Sequence, residues 1–379
     1  MSNQQPYAVT ASHVFDGAAV HRDAAVVIAG ERIAALVPRG ELPRDMNVES
    51  LDGLWLAPGF IDLQVNGGGD VLFNEVPTPE GIATIAAAHR TFGTTALLPT
   101  LMTDTTEKMR AALEAVRTAR ALQPSVLGIH LEGPYLSPER PGVHAVDRIR
   151  APSPADIDMI ATAAAGVVLI TLAPERMPEG FIRQLAARGI RVSLGHTMAT
   201  YEQTRAAIAE GLSGFTHLFN AMPQLAGRAP GPIAAALETP DVWYSLIVDG
   251  IHVAPAMLRL ALRGAGRPLL ITDAMPPVGG RRLTFRLYGQ EIRTIDGRCL
   301  RKDGTLAGAA LDMATAVRNC VRMLGVPLER ALTFASAHPA DFIGLGGSLG
   351  RIAAGYRADL VAFDPDDIRV VRTWVAGRS

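Results

Sequence analysis

The sequence has little of what marks several specialised classes of protein. Its 379 residues include two cysteines, Cys299 and Cys320, which form no paired motif. This excludes a cluster of thiolate metal ligands and suits a reducing compartment. The formal net charge of -1 leaves no excess of basic residues for binding nucleic acid.

The sequence also lacks any run of 18 apolar residues, and its start, MSNQQPYAVT, has no basic-then-apolar stretch. Transmembrane helices and secretory signals require these patterns. We therefore expect a cytoplasmic protein with no membrane association. Hydrophobic residues still make up 48% of the chain, which is enough for a large core, and the length suits one barrel with an additional domain.

The middle of the chain alternates between short apolar runs and helical patterns. Most of the helical segments open with good N-terminal signals, and several close on glycine. Eight runs are strand-like: FIDLQVN, TALLPTL, VLGIHLEG, VVLITLAPE, RVSLGHT, GFTHLFNA, SLIVDGIH and LLITDAM. Strands that alternate with helices predict parallel βαβ units, and eight of them predict an α/β fold with a closed (β/α)8 TIM-like barrel.

The two chain ends differ from the middle. YAVTASHVFDG and AAVVIAGERIAALVP near the start, and RADLVAFDP and IRVVRTWVAG near the end, are strand-like runs broken by glycine and aspartate. We predict that residues 1–56 and 347–379 form a small β-sandwich domain and that residues 57–346 form the barrel. The segment RRLTFRLYGQEIRTIDGRCLRKDG predicts a β insert near residues 281–303.

Polar side chains cluster at the carboxyl ends of the predicted barrel strands, where barrel enzymes have their active sites. Glu132, His196 and His217 end the third, fifth and sixth runs. A carboxylate at the end of an apolar strand is costly to desolvate unless a cation pairs with it, and an arginine is the alternative to a metal. Two histidines and one glutamate are a ligand set typical of catalytic zinc. We predict that these residues bind one divalent metal ion.

Zinc is the metal that we favour, although iron, manganese and cobalt suit the same ligands. Asp273 ends the eighth run, and the next segment, AMPPVGG, is a poor helix start, which argues against a helix-capping role. A carboxylate beside a metal-bound water has the right chemistry for a general base and then for the general acid that protonates a leaving amine. We predict this catalytic role for Asp273.

Gln64 and Asn66 lie at the end of the first run, in APGFIDLQVNGGGD, and face the same barrel mouth. Neutral amides bind divalent transition metals far less well than imidazoles do. We therefore expect this pair to hydrogen-bond water or to shape the pocket, and we expect no tight second metal site.

The motifs also resemble a known family. WLAPGFIDLQVNG and GRIAAGYRADLVAFD resemble the amidohydrolase superfamily. HLEGPYL, GHTMAT, THLFNAMPQLAGRAPG, VDGIHV, LLITDA and GTLAGAALDM resemble, in order over nearly the whole chain, the N-acetylglucosamine-6-phosphate deacetylases. The resemblance implies a homodimer and the metal-dependent hydrolysis of N-acetylglucosamine 6-phosphate to glucosamine 6-phosphate and acetate. Its small-molecule partner would be this phosphorylated amino sugar.

The resemblance assigns further residues by motif. His144 would help to polarise the acetamide carbonyl. Arg228 would bind the sugar phosphate, and in this family the matching arginine can come from the partner subunit. The other substrate-binding positions that it implies are Val143, Asn220, Ala221, Asp249, Gly250, Ile251, His252, Leu306, Ala307 and Gly308. Residue 307 is alanine where the family often has serine, and residue 275 is methionine where a smaller residue is common. The resemblance therefore does not decide which sugar is the substrate.

Two alternatives stay open. One is another amidohydrolase reaction, on a different N-acetylated sugar or a cyclic amide. Cyclic-amide enzymes typically need two metals bridged by a carboxylated lysine, whereas Lys108 and Lys302 both lie outside the strand-like runs. The other alternative is a non-catalytic scaffold. Such a protein is expected to have lost a ligand or the base, but all three predicted ligands and Asp273 are present.

Overall fold

The computed structural model describes residues 5–379, in which strands and helices alternate through the middle of the chain. The strands are β1 (Tyr7–Phe15), β2 (Val20–Ala29), β3 (Arg32–Pro38), β4 (Asn47–Pro58), β5 (Phe60–Val65), β6 (Gly67–Gly68), β7 (Val71–Leu72), β8 (Thr94–Met102), β9 (Gly128–Glu132), β10 (Val167–Leu172), β11 (Arg191–Leu194), β12 (Gly214–Phe215), β13 (Trp243–Leu246), β14 (Arg267–Leu270), β15 (Thr284–Leu287), β16 (Gln290–Ile295), β17 (Arg298–Leu300), β18 (Leu306–Ala309), β19 (Leu360–Asp364) and β20 (Arg369–Trp374).

The helices include those predicted from the N-terminal signals. They are α1 (Pro79–Arg90), α2 (Thr106–Leu122), α3 (Pro154–Thr162), α4 (Phe181–Ala187), α5 (Tyr201–Ala209), α6 (Gly231–Glu238), α7 (Pro255–Ala261), α8 (Met313–Leu324), α9 (Leu328–Ala335) and α10 (Ala337–Phe342). Capping boxes at Ser153 and Thr200 satisfy the first backbone amides of α3 and α5. Within residues 5–379, no helix combines the length and the apolar character needed to cross a lipid bilayer.

Eight parallel strands form the barrel. Their order is β5-β8-β9-β10-β11-β12-β13-β14, which follows the order along the chain. The amide of Asn66, just after β5, donates to the oxygen of Ala274, just after β14, at 3.0 Å, so the first and last strands meet at their carboxyl ends. Each of the eight predicted runs overlaps one of these strands. The predicted (β/α)8 barrel is therefore confirmed.

Strands from both chain ends form one six-stranded sheet of order β20-β19-β4-β1-β2-β3. β4 runs parallel to β1 and antiparallel to β19, so it joins the two ends of the chain. Ile28 and Leu360 belong to its buried core, and each contributes about 1.5–3 kcal/mol by leaving water. The small β domain of the chain ends is confirmed. Its strands form a single connected sheet rather than two separate ones, and a register shift between Ala11 and His13 marks a bulge, which bends a strand.

A four-stranded antiparallel sheet of order β15-β16-β17-β18, here called the β insert, follows the last barrel strand. Its last strand returns to the barrel mouth, because the amide of Ala309 donates to the oxygen of Asp273 at 2.9 Å. Gly308 has a φ of +65°, and a Cβ at this position would lie 2.9 Å from the same oxygen. Glycine therefore allows this close approach beside Asp273.

The chain divides into two compact units. The first comprises the described residues up to Asp62 together with His89–Ala96 and Asp312–Ser379. The second comprises Leu63–Ala88 and Leu97–Leu311, and it contains every predicted site residue. The predicted limits at residues 56 and 347 stay a prediction.

Candidate active site

The three predicted metal ligands lie at the ends of barrel strands. Glu132 is the last residue of β9, and His196 and His217 follow β11 and β12 by two residues. The backbone leaves the strand conformation at both histidines, with a φ of +47° at His196 and +35° at His217. This turn ends β12 after two residues, earlier than the run GFTHLFNA suggested. Left-handed φ is unfavourable for residues other than glycine, and such strain often lies at functional sites.

The functional atoms of these side chains converge on one point. Nε2 of His217 lies 3.0 Å from Oε1 of Glu132 and 3.1 Å from Nε2 of His196. Nε2 of His196 lies 3.3 Å from the same oxygen. The main-chain oxygen of Arg140 is 2.9 Å from Nδ1 of His196, so this nitrogen carries a proton. Nε2 of His196 is then the unprotonated nitrogen, and its lone pair faces the point of convergence.

The donor set fits a divalent metal ion. Burial acts to raise the pKa of Glu132, but its contacts with the rings of His196 and His217 hold this pKa well below its usual range. Burial acts to lower the pKa of His217, but Glu132 raises it above its usual value. Glu132 is therefore an anion, and its negative charge favours a cation beside it. Two imidazole nitrogens and one carboxylate oxygen, all buried and within 4.8 Å of one another, are a ligand set for one transition-metal ion.

Gln64 and Asn66, at the end of β5, act as hydrogen-bond donors to carboxylates. Nε2 of Gln64 is 3.0 Å from Oε1 of Glu132 and 3.1 Å from Oδ1 of Asp273. Nδ2 of Asn66 is 2.6 Å from the same Oδ1. An N–H group has no lone pair for a cation, so these contacts orient the two carboxylates and shape the pocket.

Asp273 follows β14 and has a φ of +52°. Burial and the nearby charge of Glu132 raise the pKa of Asp273 to about 6. The charges of His217 and His252 and the hydrogen bond from Asn66 lower this pKa in part. A carboxyl group with a pKa near neutrality can both accept and release a proton, as a general base and acid must.

His144 lies beside the metal ligands, on the loop between β9 and α3. Its ring centroid is 4.4 Å from that of His196, and its Nε2 is 3.7 Å from Oε2 of Glu132. Burial, and then repulsion from His196, lowers the pKa of His144 to about 3. The imidazole is therefore neutral near pH 7 and can donate one hydrogen bond towards a substrate.

Asp249 and His252 form a pair after β13. Nδ1 of His252 donates to Oδ2 of Asp249 at 2.6 Å, and the amides of Ile251 and His252 donate to Oδ1. Burial acts to raise the pKa of Asp249, but the hydrogen bond from His252 holds it below its usual value. Gly250 is exposed between them. The carboxylate of Asp249 thus fixes the ring of His252, whose charge acts on Asp273.

Other predicted substrate residues lie on two further segments. Nδ2 of Asn220 donates to the oxygen of His217 at 3.0 Å, and Ala221 has a φ of +51°. Leu306, Ala307 and Gly308 belong to β18, beside Asp273. Val143 packs against the buried cluster that contains Ala307.

Arg228 is not brought together with these residues. It is exposed on a turn closed by a bridge between Ala226 and Ala229. In the part of the chain that the structure describes, no ion pair or hydrogen bond holds its guanidinium group. The side chain is therefore available to an anion, but the fold of one chain does not fix it at the site.

Two polar atoms that contact the candidate site were not predicted from the sequence. One belongs to Thr103, just after β8, whose Oγ1 lies 2.9 Å from Nδ1 of His144. The run TALLPTL ends on an apolar residue, but the polar pair Thr103-Asp104, which follows after Met102, was a usable signal. The other is the main-chain oxygen of Arg140, which no sequence motif could reveal because every residue has one.

Comparison with known proteins agrees with this geometry. Residues 55–379 match the model of the Amidohydrolase family, and residues 6–56 match that of the NagA composite domain. The N-acetylgalactosamine-6-phosphate deacetylase of Shewanella sp. (strain ANA-3) is 44% identical over 327 residues, which cover 85% of this chain and 82% of that protein.

Solved structures are similar over almost the whole chain. The N-acetylglucosamine-6-phosphate deacetylase of Pasteurella multocida has 37% identity and a TM-score of 0.95, with 99% of each chain covered. A mutant of the enzyme of that name from Mycobacterium smegmatis, in complex with N-acetyl-D-glucosamine-6-phosphate, has 36% identity and a TM-score of 0.91, with 99% of each chain covered. Fold, site and family model agree, and the chain belongs to the metal-dependent amidohydrolase family.

Proposed function

We propose that the protein hydrolyses the acetamide of N-acetyl-D-glucosamine 6-phosphate to D-glucosamine 6-phosphate and acetate. The observation that carries the proposal is the convergence of Glu132, His196 and His217 beside Asp273 and His144. A metal ligand set, a proton carrier and a neutral hydrogen-bond donor are what the hydrolysis of an unactivated amide needs. The substrate that we propose is the one in the names of two similar proteins.

Glu132, His196 and His217 would hold one metal ion, for which we propose zinc. Iron, manganese and cobalt accept the same ligands. When bound, a divalent cation supplies Lewis acidity to the attacking water and to the acetyl carbonyl. Gln64 and Asn66 direct N–H groups at carboxylates, which supports a single metal ion.

Asp273 would carry the proton. Gln64 and Asn66 both donate to Oδ1, so Oδ2 is the oxygen left to accept the proton of the attacking water. As the carbon–nitrogen bond breaks, Oδ2 returns this proton to the leaving nitrogen of the sugar. The water oxygen ends in acetate, and the product amine gains the proton.

His144 would stabilise the negative charge that develops on the carbonyl oxygen during attack. The neutral ring donates from Nε2, which faces the site. A fixed donor in a buried site is worth more than the same donor in water, because it needs no reorganisation as charge develops.

The sugar phosphate needs a cationic partner, and the guanidinium group of Arg228 presents a planar fork of donors that matches phosphate oxygens. We propose a homodimer in which Arg228 of one subunit binds the phosphate of a sugar held by the other subunit, next to Asn220, Ala221 and His252. Because a charged sugar phosphate does not cross membranes freely, the proposal includes a cytoplasmic location.

Co-expression of two impaired variants tests the dimer. Arg228→Ala lacks the phosphate donor and Asp273→Asn lacks the base, so each alone should turn over poorly. A mixed dimer has one site with both groups intact, and activity should return. No recovery in a sample shown to contain mixed dimers would place Arg228 in its own subunit's site or outside the sites.

An acetate-release assay on N-acetylglucosamine 6-phosphate, with metal quantification on the same sample, tests the function. We expect equal amounts of acetate and free amine, and about one equivalent of metal. Failure of the fully metal-loaded protein on every phosphorylated N-acetylhexosamine would reject the proposal. Hydrolysis of an unphosphorylated analogue instead would reject the phosphate assignment.

A second substrate has one observation in its favour. The Shewanella relative, at 44% identity, is named for N-acetylgalactosamine 6-phosphate. The two sugars differ only in configuration at carbon 4, and Ala307 has no side-chain hydroxyl that could hydrogen-bond a sugar hydroxyl. The ratio of kcat/KM for the two epimers decides between them, and a ratio of more than about tenfold for the galactose form would replace our first choice.

A further inference from the structure

Thr103 makes two contacts with one ring nitrogen of His144. Its main-chain N–H donates to Nδ1 at 3.2 Å, and its Oγ1 lies 2.9 Å from the same atom. Thr103 is 1% exposed and His144 is 4% exposed, so bulk water does not compete for these contacts.

The contact with the main chain decides where His144 carries its proton. An amide N–H can only donate, so Nδ1 must offer its lone pair to Thr103. A neutral imidazole with an unprotonated Nδ1 carries its proton on Nε2. Nε2 lies 3.7 Å from Oε2 of Glu132, so this N–H group is directed into the proposed active site. In the other tautomer, the hydrogen on Nδ1 and the main-chain amide hydrogen of Thr103 would point at each other and repel.

Thr103 is itself held in place. Tyr288, at the turn between β15 and β16, donates from its hydroxyl to the oxygen of Thr103 at 2.6 Å. Burial raises the pKa of Tyr288, so the hydroxyl keeps its proton and remains a donor. A Cβ at Gly133 would lie 2.2 Å from Oγ1 of Thr103, so the glycine leaves room for the threonine. A chain of hydrogen bonds therefore runs from the β insert through Thr103 to His144.

We propose that Thr103 is a positioning residue that holds His144 as the neutral tautomer with its proton on Nε2, and that Tyr288 of the β insert fixes Thr103 for this purpose. The proposal rests on the proposed function for what His144 does with this proton. It gives Tyr288 a part in the reaction through the main chain of Thr103, without contact between Tyr288 and the substrate.

Two substitutions distinguish the effect of the Thr103 hydroxyl from the effect of the shape of its side chain. Thr103→Val removes Oγ1 but keeps the branched side chain and the main-chain N–H, so the tautomer is held less firmly. We expect kcat to fall about tenfold, with KM and metal content close to those of the original protein. Thr103→Ser keeps the hydroxyl and should restore most of the lost kcat. Tyr288→Phe should lower kcat by a few-fold, also at constant KM.

Thr94→Val is the matched control. Thr94 lies at the other end of β8, and among residues 5–379 its hydroxyl has no hydrogen-bond partner. The same change of a buried hydroxyl to a methyl group should leave kcat unchanged. An equal loss of kcat in Thr94→Val and Thr103→Val would mean that general packing causes the effect, and the proposal would fail.

The tautomer can also be measured without turnover. In long-range proton–nitrogen correlation NMR of the zinc-loaded protein, the His144 signals are those that disappear in His144→Asn. We expect Nδ1 without a proton and Nε2 with one. In Thr103→Val, which keeps only the main-chain contact, we expect a larger share of the tautomer protonated on Nδ1. A His144 protonated on Nδ1 in the unsubstituted protein would overturn the proposal, as would an unchanged kcat in Thr103→Val or no rescue by Thr103→Ser. If the protein hydrolysed no N-acetylhexosamine phosphate, the proposed function would fail, while the spectrum would still test the tautomer.

Discussion

The end of β5 and the ends of β11 and β12 bring polar side chains to the same barrel mouth, but with opposite hydrogen-bonding character. Gln64 and Asn66 present amide N–H groups to neighbouring carboxylates. His196 and His217 present ring nitrogens to Glu132 and to each other. A cation needs lone pairs, so the histidine side suits a metal ion and the amide side instead orients carboxylates. A polar residue at a strand end therefore becomes a ligand only if its lone pair faces the site.

Removing a ligand from the histidine side should have the largest effect. His196→Ala leaves two of the three ligands, so we expect loss of the bound metal and a fall in turnover of roughly 10^4-fold or more. Gln64→Leu, its counterpart on β5, should keep the metal. Metal quantification after gel filtration, combined with the acetate-release assay, measures both variants. Equal metal loss in the two would remove the distinction between the two sides.

Replacing Asp273, to which both Gln64 and Asn66 donate, should have the next largest effect. Asp273→Asn cannot accept the proton of the attacking water, so we expect turnover to fall about 10^3-fold. The three metal ligands are untouched, so metal content and the circular dichroism spectrum should not change. Turnover close to that of the unsubstituted protein would show that another group is the base.

A gain of metal would show directly what the end of β5 lacks. The double substitution Gln64→His and Asn66→His introduces two imidazoles beside Asp273, and we expect the metal content to rise from about one equivalent towards two. If the content stayed at one, the backbone at the end of β5 would be the obstacle, and not the missing imidazoles.

Asn66→Ala should have the smallest effect, seen as a shift along the pH axis. In the proposed mechanism Asp273 acts as a base only when deprotonated, so we expect kcat/KM to fall as the pH drops through its pKa. The protein alone raises this pKa to about 6, and a bound cation lowers it. The hydrogen bond from Asn66 lowers this pKa. Its removal should move the acid limb of the profile to higher pH, on the order of one unit. The value of kcat/KM on the plateau at higher pH is the internal control. If the acid limb of Asn66→Ala did not move, or moved to lower pH, Asp273 would not be the group that titrates in this limb.

Much of the fold was predictable because its determinants are local. Apolar runs separated by helix signals are enough to place eight strands in a barrel, and each run overlaps an observed strand. The length of β12 was not predictable, because a left-handed backbone at His217 ends the strand two residues after it begins. The single sheet of the chain ends was also not predictable, because β4 pairs with strands from both ends of the chain.

The grouping of the three candidate metal ligands was predictable, but the hydrogen bonds around them were not. Glu132, His196 and His217 could be grouped because parallel strands end at the same edge of a barrel. Thr103 remained unseen because its importance depends on contact with His144, which is 41 residues away in the chain.

The sequence by itself determined which chemical groups stand at which strand end: carboxylates at the ends of the third and eighth barrel strands, imidazoles at the ends of the fifth and sixth, and amides at the end of the first. Only the tertiary structure decided which atom of each group faces the site. The proton of His196 is fixed by a carbonyl 56 residues away in the chain, and Asn66 meets a carboxylate 207 residues away. The physical reason is that residue type sets the number of donors and lone pairs, whereas their direction depends on partners that only folding brings within 3 Å or so.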